Sequence, residues 1–342
     1  EIEGSYSLVF LSKFDPDKII CTKQDNPLVI GLGEGENFIA SDIPAIIQRT
    51  RRTFILSDGE MAVVTKDSVW VTNRLGVPVS KKVFEVNWDA EAAEKGGYDH
   101  FMLKEIVEQP KAFRDTMTAR VPKDQNTIVF DELKWTREDA AAIKKVMITA
   151  CGTAYHAGIV GKYYIEQLAK IPVEVDIASE FRYRNPLVDS NTLVIIISQS
   201  GETIDSLAAL KEAKRLGSRT LAVTNVVGSS IAREADQVIY TWAGPEIAVA
   251  STKAYTTQLV TMLMLALYLA GLRDSLRDDR MNSIVNELRE LPAKAQKFLD
   301  NGKMVRTFAE LYGFNEDVFF IGRSLDYAVA LEGALKLKEI SY

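Results

Sequence analysis

A group of small polar side chains surrounds one glycine directly after an apolar run in the stretch 192-TLVIIISQSGETIDSLAAL-210. The group consists of Ser198, Gln199, Ser200 and Thr203, with Ser206 just beyond. Hydroxyl and amide groups donate hydrogen bonds to phosphate oxygens, and Gly201 permits a tight turn and close backbone approach. Capping of a helix is the commonest use of Ser and Thr, but so many donors around one glycine favour a phosphate.

The predicted helix after this group strengthens the phosphate interpretation. A helix that begins near Thr203 leaves its first backbone N–H groups unpaired and has a partial positive charge at that end. Such helix ends bind phosphate well. The stretch 192–210 contains no Lys or Arg, so the sequence predicts an anion site that consists of uncharged donors.

Two further polar turns follow other apolar runs. The first is 151-CGTAYHAG-158, in which Thr153 follows a glycine, and the second is 247-IAVASTKAYTTQL-259, with Ser251 and Thr252 before a helix. For the second turn, a simple helix cap and a sugar-binding role are equally good interpretations. We expect Cys151 to be a small buried apolar residue and His156 to be structural.

A third candidate is the charged helix 331-LEGALKLKEIS-341. Glu332, Lys336 and Glu339 lie three or four residues apart and therefore on one side of the helix. By itself, this spacing favours ion pairing on the protein surface. The alternative places Glu339 at a crevice as a general base.

The elements that would position these residues begin near Ala140. Apolar strands are predicted at 146–152, 173–179, 192–198, 219–225 and 237–243, and helices between them at 157–170 and 203–217. Continuous apolar strands that alternate with helices predict an α/β fold, a flavodoxin-like doubly wound parallel sheet. Ligands bind such sheets beyond the carboxyl ends of the strands. The stretch 318–339 echoes 146–167 and predicts a second unit that starts with a strand.

The first part of the chain has a different pattern. Up to about residue 88, short alternating strands and turns predict an α+β layered domain. The glycines of 30-IGLGEGENF-38 are spaced as GxGxG rather than GxGxxG, which indicates a loop of this β domain and not a dinucleotide site. Residues from about 89 to 138 are charged and mostly helical.

Composition excludes several classes of protein. The chain has 342 residues, a net charge of −6 and a pI of about 5.3, which argues against a nucleic-acid partner. Two cysteines and two histidines form neither a disulfide framework nor a metal cluster, and we expect a cytoplasmic protein without metal or cofactor. The apolar stretch 257–272 is too short to span a membrane and predicts a buried helix.

The motifs together resemble one family. CGTAYHAG, ISQSGETIDSLAAL, EIAVASTKAYTTQL and ALEGALKLKEIS are similar to those of the glutamine–fructose-6-phosphate aminotransferases (isomerizing), over essentially the whole chain. The loop SQSGET alone marks only the wider sugar-isomerase (SIS) class. The resemblance implies an Ntn-type glutaminase domain that releases ammonia. It also implies two SIS domains that bind fructose 6-phosphate, aminate it at C2 and isomerise it to glucosamine 6-phosphate.

The resemblance also implies a division of the chain. Residues 1–92 would be the C-terminal part of the glutaminase domain, and 93–138 a linker with docking helices. The first SIS domain would occupy 139–285, and 286–342 would begin an incomplete second one. The family's nucleophilic cysteine and its ring-opening histidine are absent, so we expect a truncated chain that depends on a missing N-terminal region to bind glutamine. We also expect a homodimer.

Matching positions imply residue roles. The phosphate would be bound by Ser198, Gln199, Ser200 and Thr203, and the sugar by Thr153, Val249, Ala250 and Ser251. Glu339 would be the base that moves a proton between C1 and C2, with Lys336 and Glu332 beside it. Ala154 departs from the serine of many relatives and removes one hydroxyl. Two alternatives remain open: another SIS isomerase or deglycase for sugar phosphates, and a non-catalytic sugar-phosphate sensor.

Overall fold

The computed structural model describes residues 2–41, 43, 45–47, 49–86 and 95–341. The chain forms two compact units, Glu1–Gly97 and Tyr98–Tyr342. The expected boundary between residues 92 and 93 lies outside the described residues.

The first unit consists of eight strands in its described part. They are β1 Tyr6–Ser12, β2 Asp15–Gln24, β3 Val29–Leu32, β4 Asn37–Ala40, β5 Arg52–Ile55, β6 Met61–Val64, β7 Val69–Thr72 and β8 Phe84–Glu85. They form two antiparallel sheets, in the orders β1-β2-β6-β7 and β4-β3-β5-β8. One cluster of buried residues, which includes Cys21, Ile30 and Phe54, has members from both sheets. The described part of this unit contains no helix, so the helical layer remains a prediction.

The glycine-rich run 30–38 lies in a hairpin between two of these strands. Leu32 of β3 pairs with Asn37 of β4, and the Gly33 N–H donates to the Glu36 carbonyl at 3.0 Å. This arrangement confirms the prediction of a β-domain loop.

The second unit contains a five-stranded parallel sheet. Its strands are β9 Lys145–Ala150, β10 Val173–Ile177, β11 Thr192–Ser198, β12 Arg219–Thr224 and β13 Gln237–Tyr240. Their spatial order is β10-β9-β11-β12-β13, with every neighbouring pair parallel. Counted from the first strand this order is 2-1-3-4-5, the flavodoxin-like order. The predicted doubly wound sheet is confirmed.

Helices cover both faces of the sheet. The helices of this unit are α1 Phe101–Val107, α2 Gln109–Met117, α3 Arg137–Ala142, α4 Gly152–Tyr164, α5 Ala178–Tyr183, α6 Ile204–Arg215, α7 Ser230–Glu234, α8 Lys253–Leu272, α9 Asp278–Asp300, α10 Lys303–Tyr312 and α11 Leu325–Ser341, of which α10 has no buried residue and does not cover the sheet. The predicted helix 157–170 begins earlier, at Gly152, and ends in a π-helical turn, Ile165–Ala169.

The position of β11 at the centre of the sheet explains why its sequence is continuously apolar. Ile195 and Ile197 belong to one buried cluster with residues of α4 and α8. Val194 and Ile196 belong to a second cluster with residues of α5 and α6. All four side chains are fully buried, and each such burial stabilises the fold by about 1.5–3 kcal/mol. A strand between two helical layers must be apolar on both faces.

The topology places a switch point between β9 and β11, where a crevice is expected. These strands are neighbours, with Thr149 opposite Ile196. The helix after β9 packs in one buried cluster and the helix after β11 in the other, so the chain leaves the two strands toward opposite faces. A ligand site is expected at such a switch point, beyond the carboxyl ends of both strands.

The apolar helix α8 is part of the core. Among the described residues it is the one helix long and apolar enough to cross a membrane, and 67% of its most apolar window is buried inside the protein. It packs on α4 at Gly161, where an added Cβ would lie 2.7 Å from Met262 Cε. The prediction of a buried helix at 257–272 is confirmed.

The C-terminal part departs from the prediction at one point. Residues 318–321 form no strand and are exposed. A strand needs a neighbour for its backbone hydrogen bonds, and none of the described strands lies beside this segment. The strand prediction there is wrong, although the following helix α11 is present. The expected boundary between residues 285 and 286 falls inside α9.

Candidate functional site

The polar loop after β11 is shaped by its own hydroxyls. Ser198, the last residue of β11, is buried, and its Oγ accepts a hydrogen bond from the Gly201 N–H at 3.0 Å. The same Oγ lies 3.1 Å from the Thr203 Oγ1. Gly201 has a φ of +66°, and a Cβ at this position would overlap the hydroxyl of Ser229. The loop therefore requires glycine both for its backbone angle and for space.

The start of α6 presents unpaired donors. Thr203 is the N-cap residue, and its side chain makes no cap hydrogen bond. No acceptor within the described part of the chain pairs with the backbone N–H groups of Ile204, Asp205 and Ser206. Gln199, Ser200 and Thr203 are partly exposed. The loop thus combines a helix end with side-chain donors, which is the arrangement that binds phosphate.

A buried carboxylate joins the start of α4 to α11. Glu332 is only 4% exposed. Its Oε1 accepts from the Thr153 Oγ1 at 3.0 Å, and its Oε2 lies 2.7 Å from the His156 Nδ1. The interpretation of Glu332 as half of a surface ion pair is therefore wrong. The pattern of residues on α11 could not reveal which side of the helix is covered by α4.

Lys336 links this carboxylate to a second one. Its Nζ lies 3.4 Å from Glu332 Oε1 and also forms an ion pair with Glu339. The Glu339 side chain is 32% exposed, whereas that of Glu332 is 6% exposed. One carboxylate is thus enclosed and the other accessible, on the same face of α11.

The turn before α8 is held by carboxylates. Glu246 Oε2 accepts from the Ser251 hydroxyl at 2.8 Å, and its Oε1 accepts from the Thr252 N–H at 2.8 Å and from the Ala254 N–H at 3.0 Å. Ala250 is buried, and the side chain of Val249 is 99% exposed. These two residues can therefore offer a ligand little beyond their main chain and methyl groups.

Burial raises the pKa of two groups around the crevice. It raises the pKa of the half-buried Cys151 thiol, which disfavours the thiolate. Cys151 is only partly buried, whereas the sequence predicted a buried apolar residue. Burial, together with the charge of Glu332, also raises the pKa of Tyr255. No metal-binding cluster of His, Cys, Asp or Glu occurs among the residues described.

The structure brings four of the predicted site residues into one linked group and leaves the others in two separate segments. Thr153 bonds to Glu332, which is linked through Lys336 to Glu339. The loop Ser198–Thr203 follows the strand next to β9 and so lies at the same edge of the sheet. No hydrogen bond between described residues joins Val249–Ser251 to either group.

Sequence reasoning missed three contacts of the site. The contact of His156, which was expected to be structural, with the carboxylate of Glu332 was not predicted. The i, i+3 spacing of Thr153 and His156 on one helix face was the signal that could have indicated a shared partner. Glu246 and Glu105, which accepts from the turn before α8, gave no signal because their contacts depend on tertiary structure.

Comparison with known domains defines the class. The family model described as "SIS domain" matches residues 141–268. This range contains the whole five-stranded sheet and the polar loop after β11. The second unit therefore contains a SIS domain, the sugar-isomerase class that the loop SQSGET indicated.

Comparison with individual proteins defines the family. The chain is 58% identical over 341 residues to glutamine–fructose-6-phosphate aminotransferase [isomerizing] of Caldanaerobacter subterraneus subsp. tengcongensis, and covers 56% of that protein. It is 55% identical to the protein of the same name from Clostridium tetani, again over 56% of its length. The chain thus spans little more than half the length of these relatives.

A solved structure supports the same assignment. The chain is 43% identical to the C-terminal domain of glucosamine-fructose-6-phosphate aminotransferase from Francisella tularensis, with a TM-score of 0.68. The match covers 73% of this chain and 69% of that one. The chain belongs to the glutamine–fructose-6-phosphate aminotransferase (isomerizing) family.

The packing at Gly201 leads to a stability prediction with a matched control. Gly201→Ala would place a methyl group against Ser229 at a positive φ, whereas Gly217→Ala has a φ of +83° with open space around the added Cβ. The positive φ alone costs about 1–2 kcal/mol, so we expect Gly217→Ala to lose that amount. We expect Gly201→Ala to lose clearly more, measured by denaturant unfolding or by hydrogen exchange of β11. Equal losses would contradict the close packing of the loop.

Proposed function

We propose that this chain forms the sugar-phosphate-binding part of an enzyme that uses glutamine to convert fructose 6-phosphate to glucosamine 6-phosphate. One observation carries the proposal. An uncharged donor loop at the switch point of the sheet lies at the same edge as Thr153, which is bonded to the Glu332–Lys336–Glu339 group. The names of the relatives agree with this reaction.

The phosphate group would lie against the start of α6. Ser200, Thr203 and the Gln199 amide can donate to its oxygens, together with the unpaired N–H groups of that helix. Ser198 has a less direct role, because its buried hydroxyl already holds Gly201 and Thr203 in place. Thr153, at the start of α4, is placed to meet the sugar.

Glu339 is the best candidate for the base that moves a proton between C1 and C2. A base needs an accessible oxygen within hydrogen-bond reach of the reacting carbons. Both oxygens of Glu332 are occupied by Thr153, His156 and Lys336, whereas Glu339 is accessible and contacts one lysine. Glu332 then fixes α11, and Lys336 is paired with both carboxylates.

The remaining parts of the proposal concern the whole protein. Residues 1–92 would be the C-terminal part of an Ntn-type glutaminase domain, 93–138 a linker with docking helices, 139–285 the first SIS domain and 286–342 the start of a second. The two-layered strands of the first unit and the greater length of the relatives support this division. Glutamine would bind through a preceding region, and the protein would be a cytoplasmic homodimer.

The direct test is an assay of the intact protein with fructose 6-phosphate and glutamine. We expect one glutamate for each glucosamine 6-phosphate formed, measured by chromatography of both products. Interconversion of sugar phosphates without glutamine consumption would instead indicate an isomerase or deglycase of the SIS class. Binding of fructose 6-phosphate without turnover would indicate a sensor.

A second prediction concerns the phosphate loop. Ser200→Ala combined with Thr203→Ala removes two donors, and each lost hydrogen bond to a charged group is worth about 1.5–3 kcal/mol. Two such bonds amount to about 3–6 kcal/mol, so we expect the KM for fructose 6-phosphate to rise by more than about a hundredfold, at about 1.4 kcal/mol for each factor of ten. Thr203→Ser, which keeps the hydroxyl, serves as the control and should stay near the wild-type KM. An unchanged KM in the double variant would remove the loop from phosphate binding.

A third prediction concerns Glu339. Glu339→Gln keeps the size of the side chain but cannot accept a proton, so we expect kcat to fall by about 10²–10⁴-fold. The dissociation constant for fructose 6-phosphate, measured by calorimetry, should change little. Glu310→Gln on the exposed face of α10 is the matched control. A normal kcat in Glu339→Gln would assign the proton transfer to another group.

A further inference from the structure

Glu105 of α1 is hydrogen-bonded to the turn before α8, residues 246–252. It is 2% exposed, and its Oε1 accepts from the Ile247 N–H at 2.6 Å and from the Ala248 N–H at 3.1 Å. The residues joined by these two bonds are 142 and 143 positions apart in the sequence. One carboxylate oxygen therefore fixes two successive peptide groups of a distant segment.

Glu246 holds the other side of the same turn. Its carboxylate accepts from the N–H groups of Thr252 and Ala254 and from the Ser251 hydroxyl. A third connection lies at the end of the turn, where the buried Lys253 Nζ lies 2.6 Å from Glu108 Oε2. Charge-assisted hydrogen bonds of this kind are about twice as strong as neutral ones.

The peptide groups between these two carboxylates are left without partners. Among the described residues, no acceptor pairs with the backbone N–H groups of Val249, Ala250 and Ser251. Valine and alanine have no polar side-chain atoms, and the side chain of Val249 points into solvent. If this segment binds a sugar, it must do so largely through its main chain, and the position of that main chain then determines the affinity.

We propose that Glu105 and Glu246 are positioning residues, which hold the main chain of Val249–Ser251 in the geometry that binds the sugar. The proposal rests on the proposed function, because it assumes that fructose 6-phosphate occupies the crevice. It goes beyond that function because it assigns the fixed main-chain conformation of the turn to a carboxylate of α1. Neither residue touches the substrate.

The burial of the Glu105 carboxylate has a free-energy cost, so this residue is not explained by a contribution to stability alone. Its Oε2 is buried without a hydrogen-bond partner in the described part of the structure. Burial raises the pKa of this carboxyl, against the effect of the two backbone N–H groups. A buried carboxylate is weak evidence of stability, so what it contributes here is the fixed position of two peptide groups.

The experiment uses the intact protein and three variants. Glu105→Met fills a similar volume but accepts no hydrogen bond, and Glu105→Gln keeps an acceptor without the charge. Glu290→Ala removes an exposed carboxylate of α9 and is the control. Two quantities are measured: amide hydrogen exchange of residues 247–252 without ligand, and the dissociation constant for fructose 6-phosphate.

We expect Glu105→Met to exchange the Ile247 and Ala248 amides about tenfold to a hundredfold faster, because hydrogen bonds to a charged group are lost. The dissociation constant should rise in parallel, with Glu105→Gln in between and Glu290→Ala unchanged. Faster exchange with an unchanged dissociation constant would overturn the proposal, and so would unchanged exchange. If Glu105→Met does not fold, Glu246→Ala tests the other side through the Thr252 and Ala254 amides, with the same two criteria.

Failure of the proposed function would be visible separately. In the unaltered protein, fructose 6-phosphate should protect the amides of Ser198–Thr203 from exchange. Absence of that protection refutes the phosphate site before any variant is compared. Protection in the unaltered protein combined with a normal dissociation constant in Glu105→Met refutes the positioning role alone.

Discussion

The unpaired backbone N–H groups at the start of α6 are the feature on which the rest of the site depends. They exist because the first turn of a helix has no internal acceptors, and they face the crevice because β11 ends inside the sheet at Ser198. Gly201 allows the chain to turn there against Ser229. In the proposed function, this helix end and its uncharged side chains would attract the phosphate in a protein whose net charge is −6.

Carboxylates connect segments that are distant in sequence. Glu332 joins α11 to α4 and Glu105 joins α1 to the turn before α8, whereas Glu246 acts locally and ties that turn to the start of α8. The first two are almost fully buried, and burial of a charge is costly unless its hydrogen bonds are made. Each carboxylate therefore restricts its segments to one arrangement, because any shift would leave buried polar groups unpaired.

The sequence predicted those parts of the fold that depend on local pattern. The apolar run correctly predicted strand β11, and the polar residues around Thr203 correctly predicted the start of α6. Both predictions succeeded because burial on two faces and a helix start each leave a local pattern in the sequence. The burial of Glu332 was missed, because i, i+4 spacing is the same on a surface and against another helix. The strand expected at 318–321 failed because a strand depends on a neighbour, which a local pattern cannot supply.

The hydrogen bond between Thr153 and Glu332 would set the distance between the groups that bind the sugar phosphate and the base that acts on it. In the proposed reaction the phosphate is held near α6 and the sugar meets Thr153, while the proton is moved by Glu339 on α11. Misplacement of a catalytic group by about 1 Å can cost a hundredfold in rate. Glu332 has three polar partners on α4 and α11, so it fixes the helix of the base against the helix that meets the sugar. A buried residue without an accessible oxygen can thus be as necessary for proton transfer as the base itself.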